Sequence, residues 1–365
     1  MRRRIAVLGG GNGAYAMAAD LTIKGYEVNL CESSLFSEGF KAVQERREVT
    51  LIDCEGNERT VKLRIATTDF EEALEGVDYI MMAMAATGHE HFFESMLSSL
   101  KDGQTVVTWP GYFSALRFAK ILGTKGISKN VVFAESHTFP FACRFVGPCK
   151  VRIFLEAWRI LVSSFPGKYR DKVVEDLSPI YPVSSCQNTL ATSLNDPNPI
   201  VHPIVMVLNA AGVDTRHDFH FYRDGITLPV ARAIKAVRDE MGKILNIMDL
   251  EALDYPEESF WSKSGIMSVY FKAPFDKEGA AASIDGPHSL KHRFITEDVP
   301  FGLVPAALLA RKFQIEVPVI NATIEMCSLL NKTNYWATGI SLEDLGLDRL
   351  STKEIPDLLE KGPRR

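Results

Sequence analysis

The sequence predicts an α/β fold: an N-terminal doubly wound parallel sheet followed by a mainly α-helical C-terminal domain. Three observations carry that expectation. Short apolar runs alternate with helix-patterned stretches from Ile5 to Ser136, the order that builds a parallel sheet with helices on both faces. A glycine-rich turn joins the first strand to the first helix. From about Gln187 long helical segments take over and convincing strands are absent, which sets the domains at 1–186 and 187–365.

Ile5-Ala6-Val7-Leu8 is an apolar run that reads as a buried strand. Gly9-Gly10-Gly11-Asn12-Gly13-Ala14 follows at once, then a helix-patterned stretch from Tyr15 to Lys24 that stops at Gly25. Val28-Asn29-Leu30-Cys31 is the second strand and ends on Glu32. Gly9, Gly11 and Ala14 hold the G-x-G-x-x-A positions of a Rossmann dinucleotide fingerprint, with Asn12 and Gly13 completing the turn. The first glycine permits the tight turn, and the second lets backbone amides approach a pyrophosphate. The small third residue lets helix and strand pack closely, and the helix N-terminus faces the anion. Glu32 lies where a carboxylate accepts hydrogen bonds from an adenosine ribose. Strand, turn, helix, second strand and terminal acid in order mark a nicotinamide or flavin nucleotide site. With a nicotinamide cofactor, Glu32 favours NAD by repelling a 2′-phosphate, while Ser33, Ser34 and the Arg46-Arg47 pair leave room for NADP.

The remaining elements follow the same alternation. Ser33 to Arg47 is polar and helical, and Val49–Asp53 with Arg59–Ile65 form a hairpin around Cys54-Glu55-Gly56-Asn57, appended to the sheet. Asp69 caps a short acidic helix ending near Gly76. Val77 to Ala83 is a buried strand leading to Ala85-Ala86-Thr87-Gly88, a helix runs through Leu100, and Gln104–Trp109 is a strand. Pro110-Gly111 opens another helix, and Val131–Ser136 is one more strand. Ligands of such sheets sit beyond the strands' carboxyl ends, so the loops at Ala85–Gly88 and Pro110-Gly111 belong on the cofactor side.

Composition bounds the function. The 365 residues suit two domains, and 46% hydrophobic with 24% charged residues is ordinary for a globular chain. A net charge of −5, with no basic tract beyond Arg2-Arg3-Arg4, gives no footprint for nucleic acid. Only four apolar residues separate those arginines from the glycines, too few for a signal peptide, and no apolar run reaches membrane-spanning length. The six cysteines contain no C-x-x-C pair and read as reduced thiols of a cytoplasmic protein.

In the second domain the turn-rich Asn195-Asp196-Pro197-Asn198-Pro199 precedes helices at Ile204–Ala211, Leu228–Ile247, Phe260–Phe271, Pro305–Phe313 and Val319–Leu330, with the active-site cleft expected between the two domains. Pro203 suits a first helical position, which puts His202 at or near a helix cap, where the dipole favours a neutral imidazole unless a carboxylate offsets it. Taken alone, His202 is more readily a satisfied histidine at a helix start. Asp285 to Pro305 concentrates charge, glycine and proline and suggests an ordered loop with functional side chains, although on composition alone a solvated connection is simpler.

Four stretches tie these features together: Glu135-Ser136-His137-Thr138-Phe139-Pro140-Phe141-Ala142-Cys143-Arg144, Asn198-Pro199 to His202-Pro203, Phe219 to Thr227, and above all Arg293 to Pro305. With the glycine turn, they make the chain resemble the octopine/nopaline (opine) dehydrogenase family from about residue 3 to 350. Two departures stand out: Pro110-Gly111-Tyr112-Phe113-Ser114 replaces a loop of smaller residues, and Asp224 stands for a glutamate. The resemblance implies an NAD(P)-dependent oxidoreductase acting on CH-NH groups. An α-keto acid such as pyruvate and the amino group of an L-amino acid form an imine, and NAD(P)H delivers hydride to its carbon. It further implies His202 as general acid/base and Asp298 as the residue holding its tautomer. Arg293 takes the keto-acid carboxylate, Thr138 and Cys143 lie near cofactor and substrate, and a homodimer is compatible with the family.

Other readings were weighed against this one. His89-x-His91, His217-x-x-His220 and His288-x-x-x-His292 have chelating spacings, but none comes with cysteines or a clear carboxylate set, so they read as surface or structural residues and no metal is expected. Asn331-Lys332-Thr333 matches a glycosylation pattern without meaning in a cytoplasmic chain. A ketopantoate-reductase or glycerol-phosphate-dehydrogenase type enzyme would employ a lysine motif that the sequence lacks. A non-catalytic nucleotide sensor would be expected to have lost His202, Arg293 or Asp298, yet all three are present.

Overall fold

The computed structural model describes residues 4–216, 218–253 and 286–363. The chain divides into two compact units, the first ending at Ser185 and the second beginning at Cys186.

The first unit opens with β1 (Arg4–Leu8), α1 (Asn12–Ile23) and β2 (Glu27–Cys31). After a 3-10 turn at Ser34–Phe40 come α2 (Lys41–Arg46), β3 (Glu48–Ile52), β4 (Glu58–Lys62), β5 (Ile65–Thr67), α3 (Phe70–Leu74) and β6 (Tyr79–Met82). Then follow α4 (His89–Met96), β7 (Thr105–Thr108), α5 (Ser114–Thr124), β8 (Val132–Ser136), β9 (Phe141–Gly147), β10 (Lys150–Glu156), β11 (Ile160–Phe165), α6 (Arg170–Leu177) and β12 (Val183–Ser185). Eight strands make the main sheet, in the order β12-β11-β8-β7-β6-β1-β2-β5. From β5 across to β8 every pairing is parallel. The central strands are buried at every position of β6 and β7, as strands covered on both faces must be. β11 then joins antiparallel to β8, which places an antiparallel junction in an otherwise parallel sheet.

The hairpin is present but belongs elsewhere, a correction to its expected place on the main sheet. β3 and β4 pair antiparallel within a separate four-stranded sheet of order β4-β3-β10-β9, where β3 runs parallel to β10. The single strand expected over Arg59–Ile65 divides because its two halves bond different neighbours. β4 stays with the hairpin, Arg64 donates its amide to Val28 O at 3.0 Å, and β5 pairs parallel with β2. The chain between Ser136 and Gln187, without element assignments in the sequence, supplies the other half of that second sheet; alternate side chains of β10 are buried.

The second unit contains no strand among its described residues. Its helices include α7 (Thr189–Leu194), α8 (Pro197–Leu208), α9 (Ala210–Thr215), α10 (Phe221–Gly225) and α11 (Leu228–Ile247). The helix expected at Ile204–Ala211 therefore begins earlier and breaks at Asn209, whose amide side chain bonds Val205 O and Gly225 O at 2.9 Å. The helix expected at Phe260–Phe271 lies outside the described residues. The segment expected as an ordered loop is helical from Arg293 onward: a turn at Arg293–Thr296, a π-helical turn at Val299–Leu303, and a helix at Val304–Lys312. Pro318–Asn331 packs next, its first amides held by the buried Glu240 of α11, whose carboxylate accepts from Val319 N at 2.9 Å and Ile320 N at 2.8 Å. No described helix is long and apolar enough to cross a membrane. All six cysteines are free.

Candidate active site

In the first unit the glycine turn has the geometry a dinucleotide requires. Gly9 has φ +122°, and a β-carbon there would stand 2.9 Å from Ala83 O. Only glycine takes that conformation without strain. Its amide donates to Cys31 O at 2.8 Å, tying the turn to the end of β2. Gly11 is the cap residue of α1, carries no capping side chain, and a β-carbon on it would meet nothing within 4 Å. The first-turn amides of α1 thus open onto free space, as a pyrophosphate site demands. Ala14 is buried, and a β-carbon on Gly9 would stand 3.4 Å from its own. Asn12 and Gly13 serve packing as well: Asn12 Oδ1 accepts from Phe145 N at 2.7 Å, and the Phe139 ring lies 2.8 Å from where a Gly13 β-carbon would be. Glu32 is 7% exposed, its Oε1 accepts from Ser33 N at 2.7 Å, and burial raises its pKa. The residues fit a dinucleotide.

The unusual loop before α5 is tightly built. Trp109-Pro110 is cis, Tyr112 and Phe113 both have positive φ, and Gly111 lies against Glu135 so closely that a β-carbon would overlap it. Glu135, wholly buried, accepts the Ala115 amide at 3.0 Å at the start of α5.

In the second unit His202 is placed by two elements. Asp196 caps α8 through Asn198 N at 2.8 Å, and Pro197 takes the first turn. This corrects the expectation that His202 sits at a helix start with Pro203 first in the helix: His202 lies in the second turn and Pro203 is inside. Pro197 has no amide to waste there, so the helix begins with it. The helix dipole fades beyond the first turn, and Asp298 sets the imidazole's environment instead. The segment carrying Asp298 approaches α8 closely because Gly302 lies on Pro199, where a β-carbon would overlap the proline ring.

His202 Nδ1 lies 2.7 Å from Asp298 Oδ2, and the two side chains are 5% and 0% exposed. A carboxylate at that distance takes the Nδ1 proton and leaves the Nε2 lone pair facing outward. There Tyr222, half-buried on α10, brings its hydroxyl within 3.1 Å of Nε2. The Phe294 ring stacks on the imidazole with centroids 3.7 Å apart and planes 17° from parallel, and Phe221 meets it edge-on. Neither Tyr222 nor Phe294 was singled out from sequence; both sit inside the quoted family-like stretches, but an aromatic beside a glycine or an arginine signals nothing locally. Asp224, the departure from glutamate, folds back on its own helix. It accepts from His220 N and from Arg223, and the Arg223 hydrogen bond brings its pKa down to about 2.

Arg293 Nη1 lies 2.5 Å from Glu297 Oε2; the arginine side chain is 45% exposed and the glutamate 1%. The guanidinium is thus anchored at one edge by a buried acid and presented to solvent at the other. Asp196 is 1% exposed, and its Oδ2 has no hydrogen-bond partner; burial, then the nearby charges of Asp298 and Glu297, push its pKa well up. Arg293, Asp196, Glu297, Asp298 and His202 form one cluster.

Thr138 is buried in the first unit, where its carbonyl accepts from Ser136 Oγ at 2.9 Å. Cys143 corrects the expectation of a substrate contact through its thiol. It lies on β9 in the apolar core, and burial pushes the thiol up to about 12. Among the described residues no group of three or more His, Cys, Asp or Glu side chains is arranged to hold a metal. His89 and His137 are buried, and burial brings each down to about 3; His137 Nδ1 accepts from Leu161 N at 3.1 Å. His217 lies outside the described residues.

Residues 185–331 match the family described as NAD/NADP octopine/nopaline dehydrogenase, alpha-helical domain. Over 359 residues the chain is 29% identical to an opine dehydrogenase of Arthrobacter sp. (strain 1C), covering 97% of this chain and 98% of that protein. A solved octopine dehydrogenase with NADH and L-arginine superposes at a TM-score of 0.71 with 19% identity, over 100% of this chain and 99% of the other. The same enzyme with NADH and pyruvate gives 0.71 at 20% identity over the same shares of the two chains. With a dinucleotide turn in one unit, a buried His–Asp pair beside an arginine in the other, and similarity along almost its whole length, the chain belongs to the opine dehydrogenase family.

Proposed function

We propose that this protein is an NAD(P)-dependent opine dehydrogenase, which condenses an α-keto acid with the amino group of an amino acid, reduces the resulting imine, and runs the reverse oxidation. The observation that carries the reading is the His202–Asp298 pair, held at 2.7 Å out of water with Nε2 directed away from the carboxylate. A pair of this kind moves a proton at one defined atom. Asp298 holds the proton on Nδ1 and stabilises the imidazolium when Nε2 gains one. Nε2 is then placed to protonate the keto oxygen as it leaves as water during imine formation, and to take a proton back in the reverse direction. Tyr222 OH occupies the position at Nε2 that a substrate oxygen would take. Arg293 offers the exposed edge of its guanidinium to the keto-acid carboxylate, which orients the carbonyl carbon. Bound NAD(P)H supplies the hydride.

Pyruvate and L-arginine, bound by the similar octopine dehydrogenase, are the first substrates to test. The decisive assay follows NADH oxidation with pyruvate, with and without an amino-acid mixture. Consumption that needs both supports the reading. Turnover with pyruvate alone would make the protein a hydroxy-acid dehydrogenase, and none with either would leave nucleotide sensing.

A further inference from the structure

The carboxyl end of β2 carries a side-chain pair that the proposed chemistry does not use. Glu32 is turned toward the glycine turn: Oε1 accepts the Ser33 amide at 2.7 Å, and Gly10 also donates its amide to the carboxylate. A β-carbon on Gly10 would overlap Oε2. The charge that would repel a phosphate on the adenosine ribose is therefore partly committed to backbone donors.

Ser33, 2% exposed, is the next residue. Its hydroxyl accepts the Leu35 amide at 3.3 Å and lies 2.8 Å from Nε2 of His91. With a backbone donor on the oxygen, the hydroxyl proton is directed to Nε2, which puts the ring proton on Nδ1. His91 belongs to α4, in the crossover that follows β6, so two separate βα crossovers meet at this point. Two edge-on contacts steady its ring, from Phe36 at 6.1 Å and Phe92 at 5.8 Å. Leu35 and Phe36 are 71% and 60% exposed and form an apolar lip beside the polar pair. A buried serine–histidine pair, an acid and an exposed flat apolar edge together suit a purine nucleoside whose ribose is read by polar groups.

We propose that His91 and Ser33 form the edge of the adenosine site that discriminates at the ribose 2′ position. Glu32 accepts a free 2′-hydroxyl, whereas His91 donates to a 2′-phosphate, so that the protein accepts NADPH as a second cofactor. A donor facing a phosphate makes a charge-assisted bond, stronger than its neutral counterpart. The inference rests on the nucleotide reading of the glycine turn, and its test separates the two.

The full-length protein, as wild type, His91→Ala and His91→Asn, is titrated calorimetrically with ADP-ribose and with 2′-phospho-ADP-ribose. KM and kcat for NADH and NADPH are measured alongside. His91→Ala should weaken the 2′-phosphorylated ligand by about tenfold or more while ADP-ribose changes by less than about twofold. KM for NADPH should rise in parallel at unchanged kcat. Equal weakening of both ligands, rescued by His91→Asn, would reduce His91 to a brace for the Ser34–Phe40 turn and overturn the proposal. No effect on either ligand would overturn it too, as would a wild type that binds ADP-ribose but not its 2′-phosphate. Failure of the wild type to bind either ligand would take down the nucleotide reading itself, and this inference with it.

Discussion

His202 and Asp298 are 96 residues apart in the chain, yet Nδ1 of one lies 2.7 Å from Oδ2 of the other. Both side chains are out of water, so each is the other's principal electrostatic partner. His202→Ala and Asp298→Asn should each lower kcat by about 10²–10⁴-fold, the usual reach of a positioned acid/base. The double variant should lose little more than either single one, since the role of one residue depends on the other. Steady-state kinetics with NADH binding measured in parallel tests this; a single variant with near-wild-type turnover would remove the pair from the mechanism.

Tyr222 is a different case. Its hydroxyl reaches Nε2 at 3.1 Å, where a substrate oxygen would have to sit. If it only holds that place, Tyr222→Phe should keep kcat within about tenfold, far from the loss expected for His202→Ala. A loss equal to that of His202→Ala would instead make the phenol part of the proton path.

Arg293 separates binding from chemistry. Arg293→Lys keeps the charge and loses the planar fork, so KM for the keto acid should rise by about tenfold or more while KM for NADH hardly moves. Glu297 anchors the guanidinium from below, and Glu297→Gln should raise the same KM by loosening that anchor. An unchanged keto-acid KM in Arg293→Lys would leave the arginine as the counter-ion of Glu297 alone.

Asp196 predicts a pH dependence of stability. Its folded-state pKa is raised, first by burial and then by Asp298 and Glu297. A carboxyl with a raised folded pKa adds its stability below the ordinary carboxylate range and loses it as pH climbs toward the raised value. Asparagine caps a helix as well as aspartate and carries no charge to bury. Asp196→Asn should therefore match the wild type in Tm near pH 4 and exceed it near pH 8, by about 1–3 kcal/mol of stability. A gap that shrinks as pH rises would contradict the sign.

Glu240 makes a purely structural prediction. Its carboxylate takes the amides of Val319 and Ile320, which the helix itself cannot satisfy. Glu240→Ala should cost about 1–3 kcal/mol in denaturant unfolding and leave KM for both substrates in place.

How much of this was legible beforehand follows the range of the forces. The glycine turn could be read directly, because the φ of +122° at Gly9 and the open space at Gly11 are demands of a few consecutive residues. The strand β6, the Asp69 cap and the twenty-residue helix α11 are local in the same way, set by apolar period and capping chemistry. The partnership of His202 with Asp298 came from resemblance to a family and not from spacing, since nothing within a turn of either residue points to the other. Which sheet takes the β3–β4 hairpin, the stacking of Phe294 on His202, the hydroxyl of Tyr222 at Nε2, and the core burial of Cys143 were decided by tertiary packing. Even the start of α8 was a local competition that sequence left open: Pro197 and Pro203 are both good first residues, and the helix begins at Pro197 because Asp196 is there to cap it. Propensity is written in neighbours along the chain, whereas a site is made of neighbours in space, and only close packing such as Gly302 on Pro199 brings the second kind together.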